Sequence, residues 1–344
     1  MKYIFTISII LSLCSCSNSS TENISNEKTN NDTIVVDTFQ SLTNRITEFP
    51  KVAQNWADRA EYFFQIGNLN DARIDYEQAI LLDSLNPNFR VKYGNILIGY
   101  LELQGAKYNF EYALKYDSLN ADAFVGLGKV YAFIDNPGMA TVYLNKAYKI
   151  NPYLPEAYFL EGLIYRSDYE QTRRPESWTR AKSSFQTAIE QNPRMYDAYI
   201  MLGIMNDTED NDLALDYYNS ALAIAPESTE AWYNKGMHYQ KKEKYEQARY
   251  CYRKITGLDS TYNNANYNQG FLYLVKEPNY DSAIYFYNKV IAIDSLSDRG
   301  YNDLGLAYEL KGDNDKAIQF YEMALAINPD FEKAKKNLRI VKNK

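Results

Sequence analysis

Residues 298–331 read DRGYNDLGLAYELKGDNDKAIQFYEMALAINPDF. Ala317, Tyr321 and Ala324 stand four and seven residues apart, which places them on one face of a helix. Twelve residues before Ala317 stands Gly305, set among Tyr301, Leu304 and Tyr308, and twelve after it stands Pro329. The stretch therefore reads as two antiparallel helices. Gly305 and Ala317 remove bulk where the helices cross, and the aromatic side chains fill the space beside that contact.

The same setting recurs upstream. Eight alanines, Ala72, Ala106, Ala140, Ala181, Ala214, Ala248, Ala283 and Ala317, are separated by 34, 34, 41, 33, 34, 35 and 34 residues. A period near 34 marks a solenoid of stacked supersecondary units. A small residue precedes each alanine. Ala60, Gly94, Gly128, Gly236 and Gly305 do so by twelve positions, Gly203 by eleven, Gly270 by thirteen and Gly162 by nineteen. Four positions after each alanine come Tyr76, Phe110, Leu144, Phe185, Tyr218, Tyr252, Tyr287 and Tyr321. Twelve after it come Pro152, Pro193, Pro226 and Pro329 in four units, and Ser84, Ser118, Ser260 and Ser295 in the others. Proline stops a helix and serine can cap the next one. An isolated unit leaves one face uncovered, which its neighbours must bury.

These residues resemble the tetratricopeptide repeat family. In the third unit Phe124, Leu127, Gly128, Tyr131, Ala140, Ala147 and Pro152 match its pattern, with Leu144 where an aromatic is commoner; in the eighth every position matches. The resemblance implies an all-α, right-handed α-solenoid of about eight helix pairs, over 53–86, 87–120, 121–154, 155–195, 196–228, 229–262, 263–297 and 298–331. Arg90, Asn206 and Asn266 depart from the pattern and imply local looseness. Pro50 sits where a preceding repeat would end, so residues 37–52 are expected to form an N-terminal capping helix. Ala334, Leu338 and Val341 line one face of a C-terminal cap, 332–344, with its lysines outward.

The amino terminus carries a second signal. Lys2 precedes an apolar stretch, Tyr3–Leu13, too short to span a bilayer, which ends in Leu13-Cys14-Ser15-Cys16. This resembles the bacterial lipobox and implies a signal peptide over 1–15 with Cys16 as the lipidated residue; Cys14 fits less well, because Leu13 would take the small-residue place. Ser17 follows, not the Asp of an inner-membrane retention signal, so the expectation is an outer-membrane lipoprotein. A plain secretory signal with incidental cysteines is the alternative. Residues 16–36, rich in Ser, Asn and Thr, are expected to be a flexible tether spanning about 25 Å.

Composition narrows function further. The chain has 344 residues and a net charge of −7, with no long basic run outside the C-terminal cap, which disfavours nucleic acid. Its 33 tyrosines are explained by the repeat's need for aromatics. His238 occupies a first-helix packing slot filled elsewhere by Tyr62, Ile96 or Leu272. Cys251 shares a slot with residues as different as Asp75, Asn109 and Phe320, which suggests partial exposure. The acidic run Asp207–Asp212 lacks the turn glycine and terminal glutamate of an EF-hand loop and reads as a solvated turn. No phosphate loop, metal cluster or nucleophile motif appears. The expectation is a chain without cofactor, metal or catalytic residues.

In the family the first helices line the surface where peptides lie. By register, Phe159, Leu163, Ile200, Ile204, Tyr233, Met237, Tyr267, Phe271 and Leu274 are expected there as an apolar stripe, with Glu61, Asn88, Asn95, Asp122, Lys129, Arg299, Asn302 and Glu309 at equivalent slots of the outer repeats. The Lys and Asn set with which chaperone-type repeats grip a carboxylate is absent. The stripe would bind an apolar segment or amphipathic helix of a protein partner; packing against adjacent first helices is the alternative. Repeat 4 holds seven extra residues near Ser167–Trp178, whose Arg173, Arg174 and Trp178 read as an accessory contact or a tolerated insertion. The preferred function is a scaffold or adaptor lipoprotein of the bacterial envelope. A self-associating structural component, a homo-oligomer, is the alternative.

Overall fold

A computed structural model describes residues 30–344 except 277, with side chains from residue 38 onward. The expected signal peptide, Cys16 and the tether as far as residue 29 lie outside the described residues. Among the described residues there are 18 helices and no strand. Helix α1 (Asn30–Glu48) is followed by pairs α2 (Ala53–Gln65) and α3 (Leu69–Leu82), α4 (Pro87–Gly99) and α5 (Leu103–Tyr116), α6 (Ala121–Phe133) and α7 (Pro137–Ile150), and α8 (Pro155–Thr172) and α9 (Pro175–Gln191). Next come α10 (Tyr196–Thr208) and α11 (Leu213–Ile224), α12 (Thr229–Lys241) and α13 (Tyr245–Leu258), α14 (Asn263–Phe271) and α15 (Tyr280–Ile293), and α16 (Asp298–Lys311) and α17 (Asn314–Ile327). Helix α18 (Glu332–Lys342) closes the chain. The fold is thus all-α, eight helix pairs with a capping helix at each end, in two compact units, the first up to Ala198 and the second Tyr199–Lys344.

All eight ladder alanines are fully buried. What surrounds them is sharper than a general close approach. The aromatic four residues later lies where the partner glycine lacks a side chain. A Cβ on Gly162 would come 2.6 Å from the Phe185 ring, on Gly203 2.4 Å from Tyr218, and on Gly236 2.7 Å from Tyr252. Each ring fills a missing methyl, so glycine and aromatic are chosen together. In the third repeat, where leucine replaces the aromatic, a Cβ on Gly128 would clear Leu144 by 3.3 Å.

The three irregular spacings have three different outcomes. The extra residue between Gly270 and Ala283 is absorbed as a π-helical turn, Leu272–Lys276, that continues α14. The seven extra residues of repeat 4 do not make a long turn. They lengthen α8 to 18 residues and α9 to 17, leaving only Arg173 and Arg174 between them. The residue missing before Ala214 is taken from the second helix: α11 has 12 residues where most second helices have 14, and the turn before it, 209–212, keeps four.

Two local expectations need correction. Ser84, Ser118 and Ser295 do not cap helices. Two residues further on, Asn120 accepts from the Ala123 amide at 2.9 Å and Ser297 from that of Gly300 at 3.2 Å, while Asn86 accepts from Asn88 at 3.0 Å. Asn206 and Asn266 are not loose but buried, with Asn266 Nδ2 donating to the Ser260 and Tyr262 carbonyls at 3.1 and 3.2 Å.

The N-terminal helix starts at Asn30, inside the stretch expected to be tether, and not at residue 37. Buried Ile46 anchors it, and Phe39 meets the rings of Tyr62 and Phe63 at 5.9 and 5.7 Å. At the other end α18 buries Ala334 and Val341. One of its lysines, exposed Lys333, pairs at 2.9 Å with buried Asp303, which also accepts from Tyr267 Oη at 2.5 Å.

Candidate partner-binding surface

The expected apolar stripe is largely core. In the first unit Phe159 and Leu163 are buried, and in the second so are Ile200 and Leu274. Phe159 packs its ring 5.5 Å from that of Phe185, which itself fills the space left by Gly162. These four residues are unavailable to a partner. Ile204, Tyr233, Tyr267 and Phe271 are half-buried, and Met237 alone of the nine counts as exposed, at 36%. Tyr233 stands 6.2 and 6.0 Å from Tyr252 and Tyr262, so even the half-buried members contribute to packing. Met237 Sδ lies 3.4 Å from Asn268 Nδ2 and from the Oη of fully buried Tyr252, so the exposed surface here is thioether and amide over a core phenol.

The polar slots divide similarly. Asn302 is fully buried and bonds Asp303 at 2.8 Å. Glu61 borders a concavity of about 320 Å³ in the first unit with Gln54, Asn88 and Lys92. Lys92 Nζ sits 2.9 Å from its carboxylate, and Tyr76 Oη donates to it at 3.0 Å. Burial opposes ionisation there, but Lys92 and Tyr76 outweigh it and hold the Glu61 carboxyl below its usual range.

Glu161 shows the opposite balance. Burial raises its carboxyl, and the 2.9 Å bond from Ser184 Oγ with the field of Arg180 only partly offsets this. A raised carboxyl pKa means the fold favours the protonated form, so this group's support is present at low pH and is lost as pH rises through the folded value. Glu161→Gln should therefore melt at or above the wild-type temperature at pH 7. The difference should shrink as pH falls through the carboxylate range, as thermal melts at several pH values will show.

The acidic turn is tied down. Lys242 Nζ lies 3.0 Å from both Asp210 and Asp212, and Lys241 Nζ lies 3.4 Å from Asp210 and 3.6 Å from Asp207. His238 is buried, as its slot implied, but it has a partner, Asp207, 31 residues away in sequence. Among the described residues no group of three or more His, Cys, Asp or Glu is placed to hold a metal ion.

Cys251 is fully buried, contrary to the partial exposure inferred from its slot. Its Cβ lies where the absent side chain of Gly236 leaves room, 3.2 Å from the position of a Cβ there. Asp75 and Asn109, which occupy the same slot, are buried too; they pair with Arg59 and Arg90, so the slot varies because its partners vary. Burial pushes the Cys251 thiol up to about 12. A disulfide reagent at pH 8 should leave it unmodified in the native protein and react within minutes once denaturant is added.

In the insertion, Arg173 takes a left-handed conformation, φ 58°, that reverses the chain. Arg174 pairs with Asp168 at 2.6 Å, and Trp178 is half-buried with its ring 4.7 Å from Tyr169. The two arginines are exposed, whereas Trp178 serves to hold the lengthened hairpin together.

Comparison with known proteins fits this geometry. Models of the tetratricopeptide repeat match residues 176–229, 229–262 and 299–331. A stretch of 220 residues, 60% of the chain, is 26% identical to human protein O-mannosyl-transferase TMTC3, of which it covers 23%. An uncharacterised protein of Methanocaldococcus jannaschii is 26% identical over 81 residues, 23% of this chain and 94% of that protein. Among solved structures, the APC/C hetero-tetramer Cut9-Hcn1 superposes with a TM-score of 0.58 at 17% identity, covering 99% of this chain and 63% of that one. The human IFIT1 dimer with PPP-AAAA gives 0.58 at 17%, covering 86% and 69%. At such identities the superpositions establish the fold. The chain spans about a quarter of the curated human relative and less than two thirds of the first structural one.

Proposed function

We propose that this protein is a non-catalytic scaffold of tetratricopeptide-repeat type, held to a bacterial envelope membrane by lipid on Cys16, and that it gathers other proteins there. The observation that carries the reading is the repeat array itself. Within each unit successive helix pairs bury one another, and first helices keep some side chains exposed, Met237 among them. Repeats of this type commonly serve protein–protein interaction. In the second unit the outward set is Met237 with half-buried Ile204, Tyr233, Tyr267 and Phe271. Such a patch suits an apolar segment or amphipathic helix of a partner, laid across exposed thioether and ring edges. Anchoring rests on Leu13-Cys14-Ser15-Cys16, and the outer membrane on Ser17.

Two substitutions separate the two halves of the reading. Cys16→Ser should move the protein from the membrane fraction to the soluble fraction and abolish incorporation of a labelled fatty acid; continued membrane retention and labelling would refute the anchor. Met237→Glu places a charge on the patch without entering the core. It should leave the melting temperature within about 2 °C, as expected of a surface change, and remove the proteins captured by in-cell crosslinking. Undiminished capture would refute the patch.

A further inference from the structure

His238 and the four-residue turn between α10 and α11 form an arrangement that the scaffold function does not use. The imidazole, on α12, is fully buried. Its Nδ1 lies 2.8 Å from Asp207 Oδ1. A carboxylate can only accept, so Nδ1 carries the hydrogen. Nε2 is then a bare lone pair. It is buried, has no hydrogen-bond partner among the described residues, and faces Asp212 Oδ1 at 3.8 Å. A lone pair opposite a carboxylate gains nothing, and a buried acceptor left without a donor carries a cost.

The surroundings decide what can fill that position. From α10 comes Asp207; from the turn, Asp210 and Asp212; from α12, Lys241 and Lys242, with Tyr239 edge-on at 6.2 Å. Lys244, ahead of α13, adds its field at Asp212, and the Tyr218 phenol of α11 feels Asp207. Lys241 also donates to the Asp207 carbonyl, and Lys242 to that of Asp210 at 3.0 Å. The two ammonium groups already supply the positive charge that a metal ion would bring to these carboxylates. What Nε2 can still take is a proton.

We propose that His238 is a proton-operated latch on the turn of repeat 5. With a second proton, Nε2 becomes a donor aimed at Asp212 while Nδ1 stays on Asp207, so one imidazolium ties both ends of the turn to the first helix of repeat 6. Asp212 is suited to the role. It stands at the start of α11 with φ −66° and ψ −14°, its carboxylate caps no amide of that helix, and its side chain, held by Lys242 at 3.0 Å, is 73% exposed and 3.8 Å from Nε2. The resulting bond is charge-assisted at both ends. Loss of the proton keeps the Nδ1–Asp207 bond but releases Asp212 from the imidazole, leaving the α11 end of the turn to Lys242, which loosens the junction between two adjacent repeats of the second unit.

The test uses the whole chain. It has one histidine, so the imidazole Cε1–H resonance reports the proton without assignment. Hydrogen exchange of amides 209–213, corrected for the intrinsic effect of pH, reports the turn. As the imidazole signal moves with falling pH, exchange should slow about three- to tenfold, the effect of one added hydrogen bond, in step with that signal. Asp212→Ala, an exposed change that leaves the core intact, should keep the imidazole titration and abolish the slowing. His238→Gln should abolish it as well. An imidazole signal that does not move with pH while the chain stays folded, a turn that ignores that signal, or a turn that still slows in Asp212→Ala would each overturn the latch.

Discussion

Phe110→Ala should cost the first unit about 4 kcal/mol, the upper range for truncating a buried ring. The ring is fully buried and clamped from two repeats at once: a Cβ on Gly94 would come 2.7 Å from it and one on Gly126 2.3 Å. Gly94 belongs to the ladder of small residues, whereas Gly126 belongs to the next repeat and breaks no visible rule of spacing. The converse substitution, Gly126→Ala, should cost about 2–3 kcal/mol by overpacking, because the ring has no free side to move toward. Gly128→Ala, with 3.3 Å of clearance from a leucine, should cost clearly less than Gly126→Ala. Combining Gly126→Ala with Phe110→Leu should recover part of the loss. Denaturant melts of the four variants check this; if Gly126→Ala proves as mild as Gly128→Ala, the clamp is wrong.

Asp75→Ala should be nearly as damaging, at about 3 kcal/mol. Arg59 meets Asp75 in a bidentate pair, Nε at 2.7 Å and Nη2 at 2.9 Å, with side chains only 18% and 3% exposed. Asp75 donates nothing and accepts both bonds, which lifts the Arg59 guanidinium above its usual value against the opposing effect of burial. Removing the carboxylate strands a half-buried cation beside Trp56 and Phe63, whose rings lie 5.4 and 5.7 Å from it. Replacing both partners with apolar residues should cost far less than either alone. The loss should persist in 1 M salt, whereas breaking the exposed Arg73–Glu102 pair, 2.7 Å long, should cost less than about 1 kcal/mol and fade with salt. A salt-sensitive loss on Asp75→Ala would show that the pair behaves as a surface one.

Much of the fold was legible because the repeat writes its core in spacing. The alanine ladder, the glycines and the aromatics four residues on are local, and each names its own helix face. Even the irregular gaps were visible as numbers, although their outcomes were not. One extra residue became a π turn, and seven became two longer helices, because a helix absorbs insertions wherever its neighbours leave room. The candidate surface was less legible. Register placed Phe159, Leu163, Ile200 and Leu274 on the outward side of first helices, but each is covered by side chains from other elements. Cys251 was misread for a related reason. Variety in its slot signalled changing buried partners, Arg59 for Asp75 and Arg90 for Asn109, and not contact with water.

The sequence by itself determined the helix pairs, their register and where small residues and rings gather at each crossing, since these follow from periodicity within about 34 residues. It also carried the lipobox-like segment, on which the anchoring proposal stands alone. Only the tertiary structure decided which outward side chains remain accessible, that Gly126 shares the Phe110 clamp, and that His238 meets Asp207 and faces Asp212. Those outcomes depend on residues brought together from different repeats. Periodicity fixes the direction in which a side chain leaves its own helix, and only packing fixes what it then touches.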